Sequence, residues 1–297
     1  MIRQTDSPGD TLIGAVLFVA ALLAAAVSLS LIGLLAAGSI EFFREVSLFE
    51  FFTGTVWNPL FFQKQFGILP LVTGTLSVVI IAVLVSVGPG ILISIYLSEF
   101  ASDSLRNIML TVLEIVSGIP TVVYGFLTLF WATPVLKKLV PGLPAFSAFS
   151  VGIMTGLMVL PVLIYLWEAV ISSVSDRYRQ GSLMLGADRM QTLFRAVLPA
   201  AMPGLLSVLI LAIIRVIGET MIAVIAGGQK AEFGFDFLAP IQTMTAFIIQ
   251  VGMGDFPPDS MEYQGAFAIA GVLAVTTMSL SLLSRYLRRA FSERSGR

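Results

Sequence analysis

The sequence predicts an all-α integral membrane protein with six transmembrane helices. Hydrophobic residues make up 57% of its 297 residues and charged residues only 12%, whereas soluble domains average about 25% charged residues. A helix needs about 20 mainly apolar residues to cross a bilayer, and six segments provide them. The predicted spans are Thr11–Gly38, Pro70–Tyr96, Asn107–Pro134, Phe146–Trp167, Pro203–Ala226 and Gly265–Tyr286.

The first predicted span is expected to be retained rather than cleaved as a signal peptide. Its apolar stretch exceeds the roughly 7–15 residues of a signal-peptide core. Arg3, which precedes it, is offset by Asp6 and Asp10. We therefore divide the chain into residues 1–69, the first span with its outer loop, and residues 70–297, a permease-like core of five helices.

The loop charges predict that both termini are cytoplasmic. In that orientation eleven Lys and Arg residues face the cytoplasm and five face outward, while Arg215 lies within a span. An excess of positive charge marks the cytoplasmic side of membrane proteins. The loop after the fourth span and the C-terminal tail provide most of this difference.

The composition argues against several kinds of enzyme. The sequence contains no Cys and no His, so thiolate nucleophiles, histidine proton relays and the usual zinc ligands are missing. It also lacks the G-x-x-x-x-G-K-[ST] loop that binds nucleotide phosphates. We expect no catalytic residue, metal or cofactor on this chain, and membrane lipid rather than nucleic acid around it.

Arg215 and Glu219 lie four residues apart in the fifth predicted span, followed by Thr220. On translocon scales an arginine at the membrane centre costs about 2.5–3.5 kcal/mol, so we expect it to have a partner or a function. A spacing of four places both charges on one helix face, and the guanidinium fork suits an oxyanion. We predict that these three residues line a path for a small oxyanion. The alternative is a buried ion pair with a structural role.

Glu114 is a further charge within a predicted span, and the sequence leaves its role open. It could line the path, face Arg215 across the bundle, or extend to the cytoplasmic boundary. The Gly-Ile-Pro sequence at 118–120 predicts a kink, because its proline lacks a backbone donor. Gly152 and Gly156 form a G-x-x-x-G pattern, which is typical of close contact between helices in lipid.

The cytoplasmic loop 168–202 is longer than an ordinary connector. Its apolar residues between Leu183 and Phe194 follow a helical period, and the pattern ends at Leu198-Pro199. The segment from residue 180 to 188 resembles the EAA loop of ABC importer permeases, although Gln-Gly-Ser stands where that family has Glu-Ala-Ala. The resemblance implies a short helix-turn-helix, with a tight turn at the glycine, that docks on a cytoplasmic ATPase. The alternative is an amphipathic helix at the membrane surface. The implied docking residues are Gln180, Gly181, Ser182, Gly186, Ala187, Asp188, Leu198 and Pro199.

Further segments resemble the permease subunits of Pst-type phosphate ABC importers, and the PstC-like more than the PstA-like subunit. These segments are Trp57-Asn58-Pro59, Phe66–Pro70, Ser117–Gly125, Arg215–Met221, Gln242–Ile248 and Glu262-Tyr263-Gln264. The resemblance implies a type I ABC importer permease in the bacterial plasma membrane. It also implies a PstA-like second permease subunit, two cytoplasmic ATPase subunits that bind ATP and Mg²⁺, and an extracytoplasmic phosphate-binding protein.

Three alternatives remain at this point. The substrate could be another oxyanion, such as sulfate or molybdate. The chain could be an ion-coupled secondary transporter in which Glu114, Arg215 and Glu219 form a relay. It could also be a membrane sensor or scaffold that does not transport. A membrane protease is disfavoured, because no metal-ligand set or convincing nucleophile–base pair is present.

Overall fold

The computed structural model describes residues 8–59, 64–254, 256–257 and 259–295, and the regular structure within these ranges is helical. The helices are α1 (Pro8–Glu45), α2 (Leu48–Thr53), α3 (Leu69–Glu99), α4 (Asp103–Ser117), α5 (Thr121–Leu127), α6 (Thr133–Leu139), α7 (Ala148–Ser172), α8 (Asp176–Met184), α9 (Arg189–Thr192), α10 (Leu198–Ile217), α11 (Met221–Ala226), α12 (Met244–Met253) and α13 (Met261–Ser295). Two π-helical turns, Thr128–Ala132 and Leu193–Val197, join α5 to α6 and α9 to α10.

Within the described residues, six helical segments are long and apolar enough to cross a membrane, which confirms the predicted number. They are Leu12–Glu45, Leu69–Glu99, Thr121–Leu139, Ala148–Ser172, Arg189–Ile217 and Met261–Arg288. The second and fourth segments agree with the predicted spans to within a few residues. The first and last contain most of the predicted residues but are longer than predicted. The third starts later than predicted, after a break in the helix. The fifth starts earlier than predicted and ends before a second break.

Helices α3 and α7 form the centre of the core. A Cβ atom on Gly152 would lie 2.5 Å from the Cβ of Ile81, and one on Gly156 would lie 2.9 Å from the carbonyl oxygen of Ala82. The absence of side chains at these two positions lets the helices approach closely. The predicted role of the G-x-x-x-G pattern is therefore confirmed.

The third predicted span, Asn107–Pro134, is wrong at both ends. The helix is broken rather than kinked at residues 118–120, where the backbone N–H groups of Gly118 and Ile119 bond back to the end of α4. Pro120 has no N–H to donate, so it cannot continue the helix. Helix α4 is consequently a separate amphipathic helix that packs on α7, and the membrane-crossing segment starts at Thr121.

The fifth predicted span, Pro203–Ala226, is also displaced. Pro199 does not end the preceding helix, because it lies in the first turn of α10 directly after a π-helical turn. The wider π turn removes the clash that a proline ring makes with the carbonyl four residues earlier. The helical run is therefore continuous from Arg189 to Ile217, and it ends before the segment Gly218–Thr220.

An aromatic cluster connects the outer ends of α1, α2 and α12. Phe42 makes edge-to-face contacts with Phe51 and Phe66 at ring distances of 5.5 and 5.3 Å. Trp57 meets the ring of Phe247 on α12 at 4.9 Å and is 3% exposed. The aromatic residues of the loop between α1 and α3 thus pack into the protein and support α12.

Candidate functional site

The helix break after α10 separates Arg215 from Glu219. Gly218 ends α10 with its N–H bonded to the carbonyl of Ile214 at 3.1 Å, and α11 starts at Met221. The Glu219 carboxylate accepts hydrogen bonds from the backbone N–H groups of Met221 at 3.1 Å and Ile222 at 3.3 Å. The predicted placement of Arg215 and Glu219 on one helix face is wrong, because the backbone turns between them.

Thr220, the third residue predicted for the path, belongs to the same break. Its hydroxyl donates to the carbonyl of Gly218 at 3.1 Å, and its side chain is partly exposed. No ion pair joins Glu219 to Arg215 in the part of the chain that the structure describes. The Glu219 carboxylate therefore stabilises the start of α11 instead of neutralising the arginine.

The first turn of α12, with its N-cap Thr243, holds this break in place. The Thr245 hydroxyl donates to the Glu219 carbonyl at 2.8 Å and lies 3.0 Å from the Thr243 hydroxyl. The backbone N–H of Met244 donates to the Thr75 hydroxyl of α3 at 3.1 Å. Sequence reasoning missed these roles, although two buried threonines flanking one methionine were a visible signal.

Arg215 is exposed on the surface of the single chain, one turn before the break. Its one hydrogen-bond contact within the described residues is to the Met158 sulfur, at 3.9 Å. A thioether sulfur is a weak acceptor. The groove beside it has a volume of about 260 Å³ and is otherwise apolar, with walls from α7 and α10. Its wall residues are Val159, Val162, Leu163, Leu166, Val208, Leu211, Ala212 and Ile214. The guanidinium is thus an isolated charge in an apolar setting.

Glu114 lies in the last turn of α4 and is exposed. It forms no salt bridge with Arg215 or with any other residue in the described ranges. The structure therefore does not bring these two charges together within this chain. A role for Glu114 in the path stays a prediction.

The cytoplasmic loop forms two short helices joined by a tight turn. Helix α8 ends at Met184 and α9 begins at Arg189, so the alternative of one amphipathic helix through this segment is wrong. Gly186 has a backbone φ of +85°, and its N–H bonds to the carbonyl of Leu183 at 3.0 Å. A residue without a Cβ adopts this conformation readily, which confirms the turn predicted at Gly186.

Several predicted docking residues stabilise this turn. Asp188 and Gln191 form a capping box at the start of α9, in which the Gln191 N–H donates to Asp188 Oδ1 at 2.7 Å. The Ala187 N–H bonds to the Ser182 carbonyl at 3.2 Å, and the Ser182 hydroxyl accepts from the Thr192 hydroxyl at 3.0 Å. The turn is thus a defined structure before any partner binds.

The docking tip, which we define as Leu183, Met184, Leu185, Met190 and Phe194, is a group of exposed apolar side chains around this turn. Met184 is 81% exposed and Leu185 is 89% exposed. Exposed apolar side chains grouped in this way mark an interaction surface. Gln180 and Gly181 lie on the preceding helix α8, and Leu198 and Pro199 begin α10.

Arg179 ties α8 to the ends of two spans, and sequence reasoning did not identify it. Its Nη2 atom lies 2.7 Å from Glu99 Oε1 at the end of α3 and donates to the Ile171 carbonyl of α7 at 3.1 Å. Its Nη1 atom bonds to the Val174 carbonyl and to Asp176 at 3.3 Å. The hydrogen bonds that Arg179 donates to the Glu99 carboxylate raise the pKa of Arg179 above its usual value.

Known proteins with similar sequences are transport permeases. The model of the family described as the binding-protein-dependent transport system inner membrane component matches residues 90–294. The probable ABC transporter permease protein YqgH of Bacillus subtilis is 31% identical over 245 residues, covering 82% of this chain and 78% of that protein. The phosphate transport system permease protein PstC of Xylella fastidiosa is 26% identical, covering 99% and 98%. The protein PstA of Mycobacterium leprae is 28% identical, covering 65% and 62%.

Two solved structures share the fold. A bacterial alginate ABC transporter in complex with its pentasaccharide-bound periplasmic protein matches with a TM-score of 0.62 at 17% identity, covering 92% of this chain and 94% of that chain. The inward-facing MetNI methionine ABC transporter matches with a TM-score of 0.55 at 15% identity, covering 76% and 94%. The family match begins inside α3, so it does not test the predicted boundary at residue 69. The chain belongs to the family of binding-protein-dependent transport system inner membrane components, as a multi-pass inner-membrane protein with the fold of type I ABC importer permeases.

Proposed function

We propose that this chain is the PstC-like permease subunit of an ATP-driven, binding-protein-dependent importer of inorganic phosphate. The similarity to the PstC protein of Xylella fastidiosa extends over almost the full length of both chains, whereas that to a PstA protein covers about two thirds. One observation carries the proposal. The guanidinium of Arg215 is exposed in a groove between two membrane spans and has no counter-ion among the described residues.

The exposed face of α10 around Arg215 needs a polar covering. An arginine facing hydrocarbon at the membrane centre costs about 2.5–3.5 kcal/mol on translocon scales. The apolar walls of the groove offer it no acceptor apart from a sulfur atom. We infer that a second permease subunit, PstA-like, covers this face and that a hydrated path for the anion runs between the two subunits.

In this path Arg215 would bind phosphate through its planar fork of N–H donors. Because Glu219 is engaged by the N–H groups of α11, the anion itself would be the main counter-charge of Arg215 during transit. Water in the path and a single cationic contact keep such a site weak enough for release, as a conducting pathway requires.

The docking tip would couple ATP hydrolysis on the partner subunits to movement of the spans. Two cytoplasmic ATPase subunits would bind ATP and Mg²⁺, while this chain would bind no cofactor of its own. Their closure would move α8, and Arg179 would transmit that movement to α3 and α7 through its bonds to Glu99 and to the Ile171 carbonyl. An extracytoplasmic phosphate-binding protein would deliver the substrate on the opposite side.

Uptake of radiolabelled phosphate into proteoliposomes that contain the complete complex tests the proposal. Phosphate should accumulate only with ATP and the binding protein, and unlabelled sulfate or molybdate should not compete. Uptake driven by a proton or sodium gradient without ATP would instead favour a secondary transporter. Full competition by sulfate or molybdate would overturn the assignment of phosphate.

A further inference from the structure

A cavity of about 690 Å³ lies on the outer side of the protein, apart from the groove at Arg215. Its walls come from the segment 55–59 after α2, the segment 229–233 after α11, and the residues Gln242, Phe247 and Gln250. The volume falls within the range of small-molecule pockets in proteins. An exposed ion pair between Lys230 and Glu232, with N–O distance 2.6 Å, is part of its lining.

Three glutamines form a connected group in this cavity. Gln242 is buried, and its side-chain amide donates to Gln229 Oε1 at 3.2 Å and to Gln250 Oε1 at 2.6 Å. Both acceptor oxygens are therefore engaged, which leaves the amide groups of Gln229 and Gln250 as donors. Gln229 gives one N–H to the Val224 carbonyl at 3.1 Å, while the Gln250 amide has no acceptor among the described residues.

Trp57 adds another donor to the same wall. It is 3% exposed, and its indole Nε1 is buried without a hydrogen-bond partner within the described ranges. Buried donors in native proteins are nearly always paired, so an unpaired indole N–H beside a cavity indicates that something else accepts its hydrogen bond. The Lys230 ammonium in this lining is paired with Glu232, so the donors without a partner among the described residues are the neutral N–H groups of Trp57 and Gln250, which suit an oxyanion.

The backbone holds Gln229 in an uncommon conformation. Its φ is +53°, and the preceding Gly228 has a φ of +89°. A residue other than glycine adopts a positive φ only rarely, and such positions occur often at ligand sites. The turn brings the Gln229 side chain to Gln242, so the strained backbone and the amide group belong to one arrangement.

A chain segment that lines the cavity also supports the helix break that follows Arg215. Gln242 lines the cavity and directly precedes Thr243, and the Thr245 hydroxyl holds the Glu219 carbonyl at 2.8 Å. One short segment of chain therefore forms both a wall of the outer cavity and the support of the break.

We propose that this cavity is an outer binding site for the transported oxyanion, in which Gln250 and Trp57 donate hydrogen bonds to inorganic phosphate before it reaches Arg215. This inference rests on the proposed phosphate function. Neutral donors bind an anion less tightly than a guanidinium does. The outer site would therefore release phosphate inward to the stronger donor.

The lack of cysteine in the chain permits a direct test by labelling. Val56→Cys, an exposed position in the cavity lining that is not one of the proposed donors, would be modified with a charged thiosulfonate reagent in the complete complex, built from partner subunits without accessible cysteine, with and without inorganic phosphate. Phe235→Cys, on the same outer face but outside the cavity lining, is the matched control. Phosphate should slow the modification of Val56→Cys about tenfold and leave the control unchanged. No protection, or equal protection of both variants, would overturn the proposal.

Transport measurements distinguish an anion site from a docking surface for the binding protein. Gln250→Leu should lower phosphate uptake about tenfold, as expected when one or two hydrogen bonds to an anion are lost. Stimulation of ATP hydrolysis by the binding protein should persist, and copurification would verify assembly. Unchanged uptake, or a parallel loss of stimulation, would overturn the outer site. Failure of the native complex to import phosphate would refute the proposed function instead.

Discussion

Replacement of Arg179 by glutamine should uncouple ATP hydrolysis from phosphate uptake. Arg179 is the side chain through which the docking helix α8 is bonded to α3 and α7. Glutamine is shorter and uncharged, so it cannot bond at once to Glu99, to the Ile171 carbonyl of α7 and to the Val174 carbonyl just after α7. The ATPase subunits should still bind the docking tip, but their movement should reach the spans less effectively.

The magnitude follows from the burial of the pair. The Arg179 and Glu99 side chains are 19% and 16% exposed, and their closest N–O distance is 2.7 Å. Removing one partner of a buried ion pair costs about 3–5 kcal/mol, because the other charge is left unpaired. We take the lower value, about 3 kcal/mol, since both groups retain some contact with water. A difference of about 1.4 kcal/mol changes an equilibrium constant tenfold. The ratio of α8 packed on α3 and α7 to α8 detached from them should therefore fall about 100-fold.

The assay measures phosphate uptake and ATP hydrolysis on the same proteoliposomes. Arg179→Gln should lower the ratio of phosphate imported to ATP hydrolysed by about tenfold or more, with hydrolysis retained. Arg177→Gln is the matched control, because Arg177 is exposed on the same helix and has no side-chain bond among the described residues. Glu99→Gln should have a similar effect, and the double variant should add little to it.

The coupling role of Arg179 would be refuted by a native ratio in the assembled Arg179→Gln complex. It would also be refuted if Arg177→Gln lowered the ratio as strongly, since that result would assign the effect to loop charge rather than to the bonds of Arg179.

Three other substitutions test separate parts of the structure. Gly186→Ala should weaken copurification with the ATPase about fivefold, because a positive φ costs an alanine about 1 kcal/mol. Gly186→Asn should be tolerated better, and equal binding by both variants would contradict the strained turn. Thr245→Val should lower uptake about tenfold by leaving a carbonyl at the helix break without its donor, and native uptake would contradict that support. Gly152→Val should lower the melting temperature in detergent because its Cβ would lie 2.5 Å from Ile81, whereas Gly88→Ala, with open space around it, should not. Equal melting temperatures would argue against close packing of α3 on α7.

The number of spans could be predicted from hydropathy, but the two helix breaks could not. Apolar residues continue on both sides of 118–120 and of 218–220, so a hydropathy window cannot distinguish a kink from a break. The second break depends on contacts from distant parts of the chain. Thr245 bonds to a carbonyl 26 residues earlier, and Met244 bonds to Thr75 across 169 residues. Sequence spacing carries no direct record of such contacts.

The cytoplasmic loop shows the same division between local and long-range information. The turn at Gly186 could be predicted, because a glycine and the capping residue Asp188 are local signals. The pairing of Arg179 with Glu99 could not, because the two residues are 80 positions apart and other charges lie nearby. Arg215 was identified correctly as an unusual charge, but its expected partner Glu219 instead binds the N–H groups of α11.

The most direct test of the account compares Arg215→Gln and Arg215→Lys with the native chain in ATP-dependent phosphate uptake by the complete complex. Copurification of all subunits would verify assembly of each variant. If Arg215 binds the anion in transit, Arg215→Gln should lose at least about tenfold in uptake, and Arg215→Lys should retain an intermediate rate because it keeps the charge but not the fork. Normal uptake by an assembled Arg215→Gln complex would contradict the account and place the phosphate path elsewhere.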